Sequence, residues 1–278
     1  MRALIVAGGT GGHIYPALAV AHFFRKKQIE VVWMGNKNSL EEKIITKEEF
    51  NFISFKSKGF RGKNLISKTH SVFLLVLSLF TSLREIRNIK PNFIFTTGGF
   101  ISLAPGLACY LLSIPIFIHE QNSIPGTANK ILAKISERTF EGFVSSFKKN
   151  HNVEFVGNPI RKEILDFNFK PKTNLNQEEK LNLLILGGSQ GSSQLNEIVI
   201  NSLEFIGNKE NWRICHQTGS ETIEKVKNTY NELGFDFSVK QFIENIADAY
   251  NEADIIISRA GAMTITEIAR AGRASILF

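Results

Sequence analysis

The sequence predicts two successive α/β domains, each a parallel, Rossmann-like sheet flanked by helices, with a cleft between them. Two observations predict it. A short apolar strand, a glycine-rich loop and a helix open the chain at Ala3–Ala21 (ALIVAGGTGGHIYPALAVA), and the same succession returns from Leu181 onward. Between them, strand-like apolar runs alternate with helical segments, the pattern of parallel βαβ units. The 278 residues suffice for one large or two modest domains, and 43% hydrophobic with 21% charged residues is the composition of a soluble globular protein.

Taken in order, Leu4–Val6 reads as a buried strand. Gly8, Gly9, Gly11 and Gly12 follow, then His13, Pro16 and an apolar helix from Ala17. Strand, glycine loop and helix together direct backbone N–H groups at an anion. A missing Cβ lets a phosphate or sugar approach the backbone. One glycine would serve an ordinary tight turn; four beside a histidine point to a site. A helix start favours the neutral imidazole, so His13 suits a general base. The alternative is a histidine that caps the helix or binds phosphate without moving a proton.

Glu30–Met34 is the second strand, Asn36–Lys47 a helix with Ser39 as its N-cap, and Asn51–Phe55 a third strand. Lys56–Lys63 (KSKGFRGK) is a basic loop suited to an anion, or a solvated charge run. Val72–Leu83 (VFLLVLSLFTSL) is the most apolar stretch, too short for the roughly 20 residues that span a bilayer. Val72–Leu77 is apolar without a break, so the helix is expected to be apolar on all sides, and a surface helix buries only one. Arg61, Lys63 and Lys68 precede it, and Arg84, Arg87 and Lys90 follow. Apolar face and basic rim read as contact with an anionic membrane surface, with a fully buried helix as the alternative.

Pro91–Thr97 is a strand, followed by Gly98–Gly99 and a helix from Ile101; Ile114–His119 is the next strand. It ends in His119-Glu120-Gln121-Asn122. Open α/β sheets bind ligands at the carboxyl ends of their strands. His119, Glu120 and Asn122 are therefore functional candidates, against a hydrogen-bonded structural corner. Gly126–Ile135 reads as helix, Arg138–Gly142 and Glu154–Val156 as short edge segments, and Val156–Arg161 as the turn leaving the first domain. The domains expected are 1–160 and 181–278, joined by a linker at 161–180 whose Phe167–Lys180 stretch is polar and aperiodic. In the second domain, Leu181–Leu186, Trp212–His216, Phe237–Phe242 and Asp254–Ser258 read as strands. Helices are expected from Gln194, at Thr222–Leu233, at Ile246–Asn251 and around Glu267, and Ala274–Phe278 starts another strand.

Several chemistries are disfavoured. Gly9 and Gly11 begin a G-x-G-x-x-G fingerprint, but Ile14 holds its third position, and Glu30 is a weak match for the ribose-binding acid, which argues against a nicotinamide enzyme. The six histidines and two cysteines are not in metal-ligand spacing, and the four aspartates form no Asp-x-Asp pair, so no metal and no cofactor is expected. Cys109 and Cys215 are isolated, which fits a reducing cytoplasm, and no signal peptide is visible. The net charge of +7 and the pI near 9.3 suit a phosphate-bearing substrate or an anionic membrane, with a lysine-rich composition that serves no partner as the alternative. No nucleic-acid-binding motif accompanies the charge, so nucleic acid is not an expected partner. A nucleotide diphosphate would be neutralised by helix N-termini, backbone amides and arginine. The second glycine loop with Ser189, and Arg161 at the hinge, supply these. Glu267 is placed either to accept hydrogen bonds from ribose hydroxyls or to complement the helix dipole as a first-turn carboxylate.

Seven motifs occur in order: Gly8–His13 (GGTGGH), Gly59–Lys63 (GFRGK), His119–Asn122 (HEQN), Gly157–Arg161 (GNPIR), Gly187–Gly191 (GGSQG), His216–Gly219 (HQTG) and Ser258–Glu267 (SRAGAMTITE). Together they resemble the MurG family, the peptidoglycan glycosyltransferases of bacteria. The resemblance implies a GT-B-type fold with an inter-domain active site. It implies transfer of N-acetylglucosamine from UDP-GlcNAc to the muramyl 4-hydroxyl of lipid I, the undecaprenyl-diphosphate-linked muramyl peptide. The product would be lipid II, formed with inversion and without a metal. By the same resemblance, Thr10, Gly11, Gly12, Asn122, Arg161, Ser189, Ile243, Ala262, Met263, Thr264, Ile265, Thr266 and Glu267 contact the UDP-sugar. Ile243 would meet the uracil through its backbone, and Glu267 the ribose. The first glycine loop would also face the acceptor diphosphate, and His13 matches a family histidine proposed as the base.

The Val72–Leu83 region matches the family's membrane-contact patch, which implies a peripheral protein on the cytoplasmic face of the inner membrane, serving cell-wall synthesis and hence cell shape and division. The family's second domain continues beyond the position of Phe278, so the second domain is expected to be incomplete and these 278 residues weakly active or inactive, and poorly stable. The alternatives are a UDP-sugar epimerase on the same fold and a membrane-associated binding protein without turnover.

Overall fold

The computed structural model describes residues 1–55, 65–147, 152–172, 180–188 and 191–278, with side chains from 74 onward in the helix that begins at Leu65. The basic loop Lys56–Lys63, with the GFRGK motif, lies outside the described residues, as does Ser189. The chain forms two compact units, Met1–Arg161 and Lys162–Phe278.

The first unit alternates strands and helices: β1 (Arg2–Ala7), α1 (Gly11–Lys26), β2 (Glu30–Gly35), α2 (Leu40–Lys47), β3 (Asn51–Ser54), α3 (Leu65–Ile89), β4 (Phe93–Gly98), α4 (Leu103–Leu111), β5 (Ile116–Glu120), α5 (Thr127–Leu132), β6 (Arg138–Glu141) and β7 (Val153–Phe155). The strands pair in parallel, in the order β3-β2-β1-β4-β5-β6-β7. A parallel sheet is covered on both faces, which explains why β1 is apolar without alternation. On one face Leu4, Val6, Ile94 and Ile118 pack with Ile86 of α3, Ala108 and Cys109 of α4 and Leu132 of α5. On the other, Ile5, Ala7 and Trp33 pack with Ile14, Ala17 and Leu18 of α1 and Ile45 of α2. The strand order reverses between β1 and β4, and their C-terminal loops open there, the usual ligand position in such sheets.

Local chemistry sets the element ends. Ser39 caps α2 by accepting the Glu42 amide N–H at 3.2 Å, so the helix begins at Leu40 rather than at Asn36. The Arg138–Gly142 segment, expected at an edge, is an interior strand between β5 and β7, and Thr139 and Glu141 are buried in it.

Helix α3 differs most from expectation. Ser78, Ser82, Ile86 and Ile89 are buried, Leu79 and Leu83 pack on the core, and Val76, Leu77 and Phe80 are exposed. The Ser82 hydroxyl donates to the Ser78 carbonyl at 2.7 Å, so it is buried without an unmet hydrogen bond. The helix thus turns serines inward and a band of large apolar side chains outward. Among the described residues no helix is long and apolar enough to cross a membrane.

The second unit comprises α6 (Lys162–Leu165), β8 (Leu181–Leu186), α7 (Ser193–Leu203), β9 (Trp212–Gln217), α8 (Ile223–Leu233), β10 (Asp236–Lys240), α9 (Ile246–Glu252), β11 (Ile255–Ser258), α10 (Ala262–Ala271) and β12 (Ala274–Leu277). Its parallel order, β10-β9-β8-β11-β12, repeats the reversal seen in the first unit. Leu183 and Ile185 pack with Leu195 and Val199 of α7 and Val226 and Tyr230 of α8. Residues 165–172, in the polar stretch after Arg161, are fastened to this unit. Arg270 donates to the carbonyls of Leu165 (2.8 Å) and Phe167 (3.2 Å), and Arg273 to that of Lys170 (3.0 Å). Lys172 pairs with Asp254 at 2.8 Å. Burial pushes the Asp254 carboxyl up, but Lys172 and the Asn182 amides outweigh it and hold the group below the usual carboxylate range.

Candidate active site

In the first unit, strand ends β1, β4 and β5 surround the start of α1. Thr10 is the N-cap in extended conformation, its side chain makes no capping bond, and the first turn holds no acidic residue. The first amides of a helix lack intrahelical acceptors, and at Thr10, Gly11 and Gly12 no side-chain cap supplies one, the local arrangement that favours an anion. Gly8 and Gly9 face elsewhere. The Gly9 amide points at Oε2 of buried Glu41 (3.4 Å), whose Oε1 accepts the Asn36 amide (3.2 Å). The four-glycine loop therefore divides: Gly8 packs against the Glu41 carboxyl and Gly9 donates to it, while Gly11 and Gly12 open the helix. Gly99, after β4, has φ +83° and lies so near Gly8 that a Cβ would stand 2.6 Å from the Gly8 carbonyl oxygen.

His13, in the first turn of α1, is half-buried. Its Nδ1 lies 2.9 Å from the Thr97 carbonyl oxygen and 3.3 Å from Gln121 Oε1, while the Thr97 hydroxyl donates to the His13 carbonyl at 2.7 Å. A carbonyl oxygen only accepts, so Nδ1 carries the hydrogen and Nε2 presents its lone pair. That is the tautomer a general base needs.

The His119–Asn122 cluster divides by burial. His119 and Glu120 are buried and serve as the corner. His119 Nε2 donates to the Gly157 carbonyl at 2.8 Å. Burial pushes its imidazole below the usual range, partly offset by that carbonyl and by the Glu120 charge. Glu120 accepts from the Asn122 amide (3.0 Å), Asn122 Nδ2 (2.9 Å), the Gly126 amide (3.0 Å) and Asn129 Nδ2 (2.8 Å). Asn122 is exposed, its side chain anchored by the Glu120 carboxylate. Gln121, which carries no charge and draws no notice in sequence, sits between the two histidines. Arg161 places its guanidinium 4.9 Å over the ring of Tyr15, on α1 two residues beyond His13.

In the second unit, Gly191 has φ +80°, and a Cβ there would collide with the Thr218 carbonyl. Gln217 ties the glycine loop to the segment after β10: its Nε2 donates to the Gly188 carbonyl, and its Oε1 accepts the Ile243 amide, both at 2.8 Å. Ile243 is buried, so a base meeting its amide has to displace the Gln217 oxygen. Behind the loop, Asn196 Nδ2 donates to the Thr218 carbonyl (2.9 Å), so its Oδ1 accepts from His216 Nε2 (3.0 Å), and Tyr230 donates to His216 Nδ1 (2.7 Å). Burial pushes the His216 imidazole down to about 3.

Helix α10 starts after Gly261 with no side-chain cap and no first-turn acid, so its dipole and first amides favour an anion there too. Ala262, Met263, Thr264, Ile265 and Thr266 are half-buried there, and the Thr266 hydroxyl donates to the Ala262 carbonyl at 2.9 Å. Glu267 lies in the second turn, not the first, so it is not the dipole-complementing carboxylate that was its alternative reading. It is 4% exposed and accepts from the Tyr250 hydroxyl at 3.1 Å. Among the described residues no group of three or more His, Cys, Asp or Glu could hold a metal ion.

Comparison with known proteins agrees with this division. Residues 3–141 match the glycosyltransferase family 28 N-terminal domain, and residues 182–278 the glycosyltransferase family 28 C-terminal domain. The chain is 39% identical over 275 residues to the UDP-N-acetylglucosamine–N-acetylmuramyl-(pentapeptide) pyrophosphoryl-undecaprenol N-acetylglucosamine transferase of Coxiella burnetii (strain Dugway 5J108-111), covering 99% of this chain and 76% of that protein. The crystal structure of Acinetobacter baumannii MurG superposes with a TM-score of 0.77 at 31% identity, covering 99% of this chain and 78% of that one. UDP-GlcNAc 2-epimerase from Neisseria meningitidis shares the fold alone, with a TM-score of 0.66 at 12% identity over 100% of this chain and 82% of that one. The 39% identity extends over 99% of the chain and so over both units, and on that ground the chain is a glycosyltransferase belonging to the MurG family.

Proposed function

We propose that this protein transfers N-acetylglucosamine from UDP-GlcNAc to the muramyl 4-hydroxyl of lipid I, giving lipid II with inversion. The observation that carries the reading is the 39% identity, over 99% of the chain, to a transferase named for that reaction. His13 Nε2 takes the proton of the acceptor hydroxyl as its oxygen attacks the anomeric carbon. The bond from that carbon to the UDP oxygen breaks, and UDP leaves with the electron pair. The α10 start (Ala262–Thr266), the second glycine loop with Ser189, and Arg161 offset the diphosphate charge. Glu267 receives the ribose hydroxyls and Ile243 meets the uracil. Thr10, Gly11 and Gly12 face the reacting sugar and the lipid diphosphate, with Asn122 beside them. The domains that do this are 1–160 and 181–278.

The same reading includes a peripheral site of action at the cytoplasmic face of the bacterial inner membrane, in the cell-wall synthesis that supports cell shape and division. The exposed band Val76, Leu77 and Phe80, with Arg84, Arg87 and Lys90 following on the chain, supports contact with an anionic surface.

UDP release measured with and without a lipid I analogue tests the reaction. Release that requires the acceptor, with appearance of the disaccharide product, is expected. Conversion of UDP-GlcNAc without acceptor would show epimerisation instead, and donor binding by calorimetry without turnover would show a binding protein.

A further inference from the structure

We propose that Gln121 is a positioning residue for the transfer step, holding His13 in its proton-accepting tautomer and coupling it to His119 and the Gly157–Arg161 segment. The inference rests on the reading of His13 as the base.

The orientation of the Gln121 amide follows from its neighbours. Its nitrogen lies 3.0 Å from the His119 carbonyl oxygen and 3.0 Å from His119 Nδ1. The carbonyl oxygen only accepts, so the amide NH2 faces His119 and Oε1 faces His13. The far nitrogen of His119 donates to the Gly157 carbonyl, another acceptor, which leaves Nδ1 as a lone pair for the second Gln121 N–H. The backbone carbonyl of Gln121 accepts from Asn158 Nδ2 at 3.2 Å. Each donor in this chain thus meets an acceptor, and the chain ends with Oε1 at 3.3 Å from His13 Nδ1, beside the Thr97 carbonyl at 2.9 Å.

Two oxygens on Nδ1–H do two things. They forbid the opposite tautomer, whose bare Nδ1 would face two lone pairs. They also stabilise the imidazolium formed when Nε2 takes the acceptor proton. In serine hydrolases a carboxylate does this; here a backbone carbonyl and a neutral amide do. Among the described residues, Glu120 is turned toward Asn122, Gly126 and Asn129, Glu41 toward Gly9 and Asn36, and Arg161 over Tyr15. A carboxylate at Nδ1 would hold the proton on His13 after transfer more tightly, whereas the amide lets it leave for the next turnover.

The test is the pH profile of kcat, at saturating donor and lipid I analogue, for the unaltered protein, Gln121→Leu, Gln121→Glu and His13→Ala. Gln121→Leu should lower kcat at least tenfold, leave KM for UDP-GlcNAc within twofold, and move the acidic limb to lower pH. Gln121→Glu should move that limb to higher pH. An inactive His13→Ala with both Gln121 variants on the unaltered limb overturns this proposal and leaves the base assignment standing. A His13→Ala with full kcat overturns both. Should the Gln121 variants fail to fold, long-range 1H–15N spectra of the unaltered protein decide, with the His13 signal identified by its loss in His13→Ala. A ring protonated at Nδ1 supports the proposal, and one protonated at Nε2 overturns it.

Discussion

The Nδ1 atom of His13 lies 2.9 Å from the carbonyl oxygen of Thr97, and the Thr97 hydroxyl returns a bond to the His13 carbonyl. β4 thereby holds both the ring and the backbone of the first turn of α1. The ring is held at Nδ1, which leaves the lone pair on Nε2. His13→Ala should therefore lower kcat by roughly 10²- to 10⁴-fold, the usual size of a general-base contribution, while donor affinity stays within threefold. Transfer of labelled GlcNAc to a lipid I analogue, with donor calorimetry alongside, measures both. An unchanged kcat would remove His13 as the base.

The outward band on α3 gives a second prediction. Val76→Asp with Phe80→Asp should reduce co-sedimentation with anionic phosphatidylglycerol vesicles about tenfold and leave the melting temperature unchanged, because both side chains are already exposed. Leu79→Asp is the contrast: it puts a charge against the core and should cost about 3 kcal/mol in chemical denaturation. Vesicle binding that survives the double change would show that this face does not meet the membrane.

Glu267 and Tyr250 form a third. Glu267→Gln keeps the shape and an acceptor for the Tyr250 hydroxyl but loses the charge that ribose hydroxyls would meet. KM for UDP-GlcNAc should rise about tenfold, roughly 1.4 kcal/mol, with kcat within threefold. Tyr250→Phe, which removes the hydroxyl that donates to Glu267, should raise it about twofold. If Glu267→Gln changes kcat and leaves KM alone, Glu267 is not a donor-binding residue.

Gly191 offers a backbone test. Its φ of +80° and its packing on the Thr218 carbonyl leave no room for a Cβ. Gly191→Ala should open the second glycine loop, lower the stability of the second unit by about 2 kcal/mol and abolish detectable UDP binding by calorimetry. Undiminished UDP affinity would place the diphosphate away from this loop.

His216 makes a fifth prediction, on stability. Its folded-state pKa is depressed by burial to about 3, below the ordinary imidazole value of 6.5. The unfolded chain takes up a proton there that the folded chain refuses. The stability is fully present above about pH 6.5 and declines as pH falls toward 3, by on the order of 3 kcal/mol at pH 4. Urea denaturation from pH 7 to pH 4 should show this slope, and His216→Gln should flatten it whatever its effect at pH 7. An equal slope in both proteins would assign the acid sensitivity to other groups.

Sequence patterning carried much of the architecture. Leu181–Leu186 is a continuous apolar run because a parallel strand is covered on both faces, and the strand observed there has the same ends. The glycine loops after β1 and β8 were legible in the sequence, because a strand, a glycine run and a helix start leave few other conformations. Val72–Leu77 could not reveal which side of α3 faces solvent, since apolar residues lay all round and buried Ser82 is satisfied by its own helix. Gln121 was illegible for a different reason: its importance comes from carbonyls and rings that reach it through the fold, with His13 108 residues away.

By itself, then, the sequence determined the succession of elements, the repeated βαβ plan and the family, because periodicity and glycine placement are properties of neighbouring residues. Only the tertiary structure decided which atoms oppose one another: Thr97 and Gln121 on His13 Nδ1, Glu41 on the Gly9 amide, Gln217 on the Ile243 amide. The physical reason is that a hydrogen bond is specified within tenths of an ångström and by direction. Residues 84 or 108 positions apart reach that geometry only when the sheet has set their strands side by side.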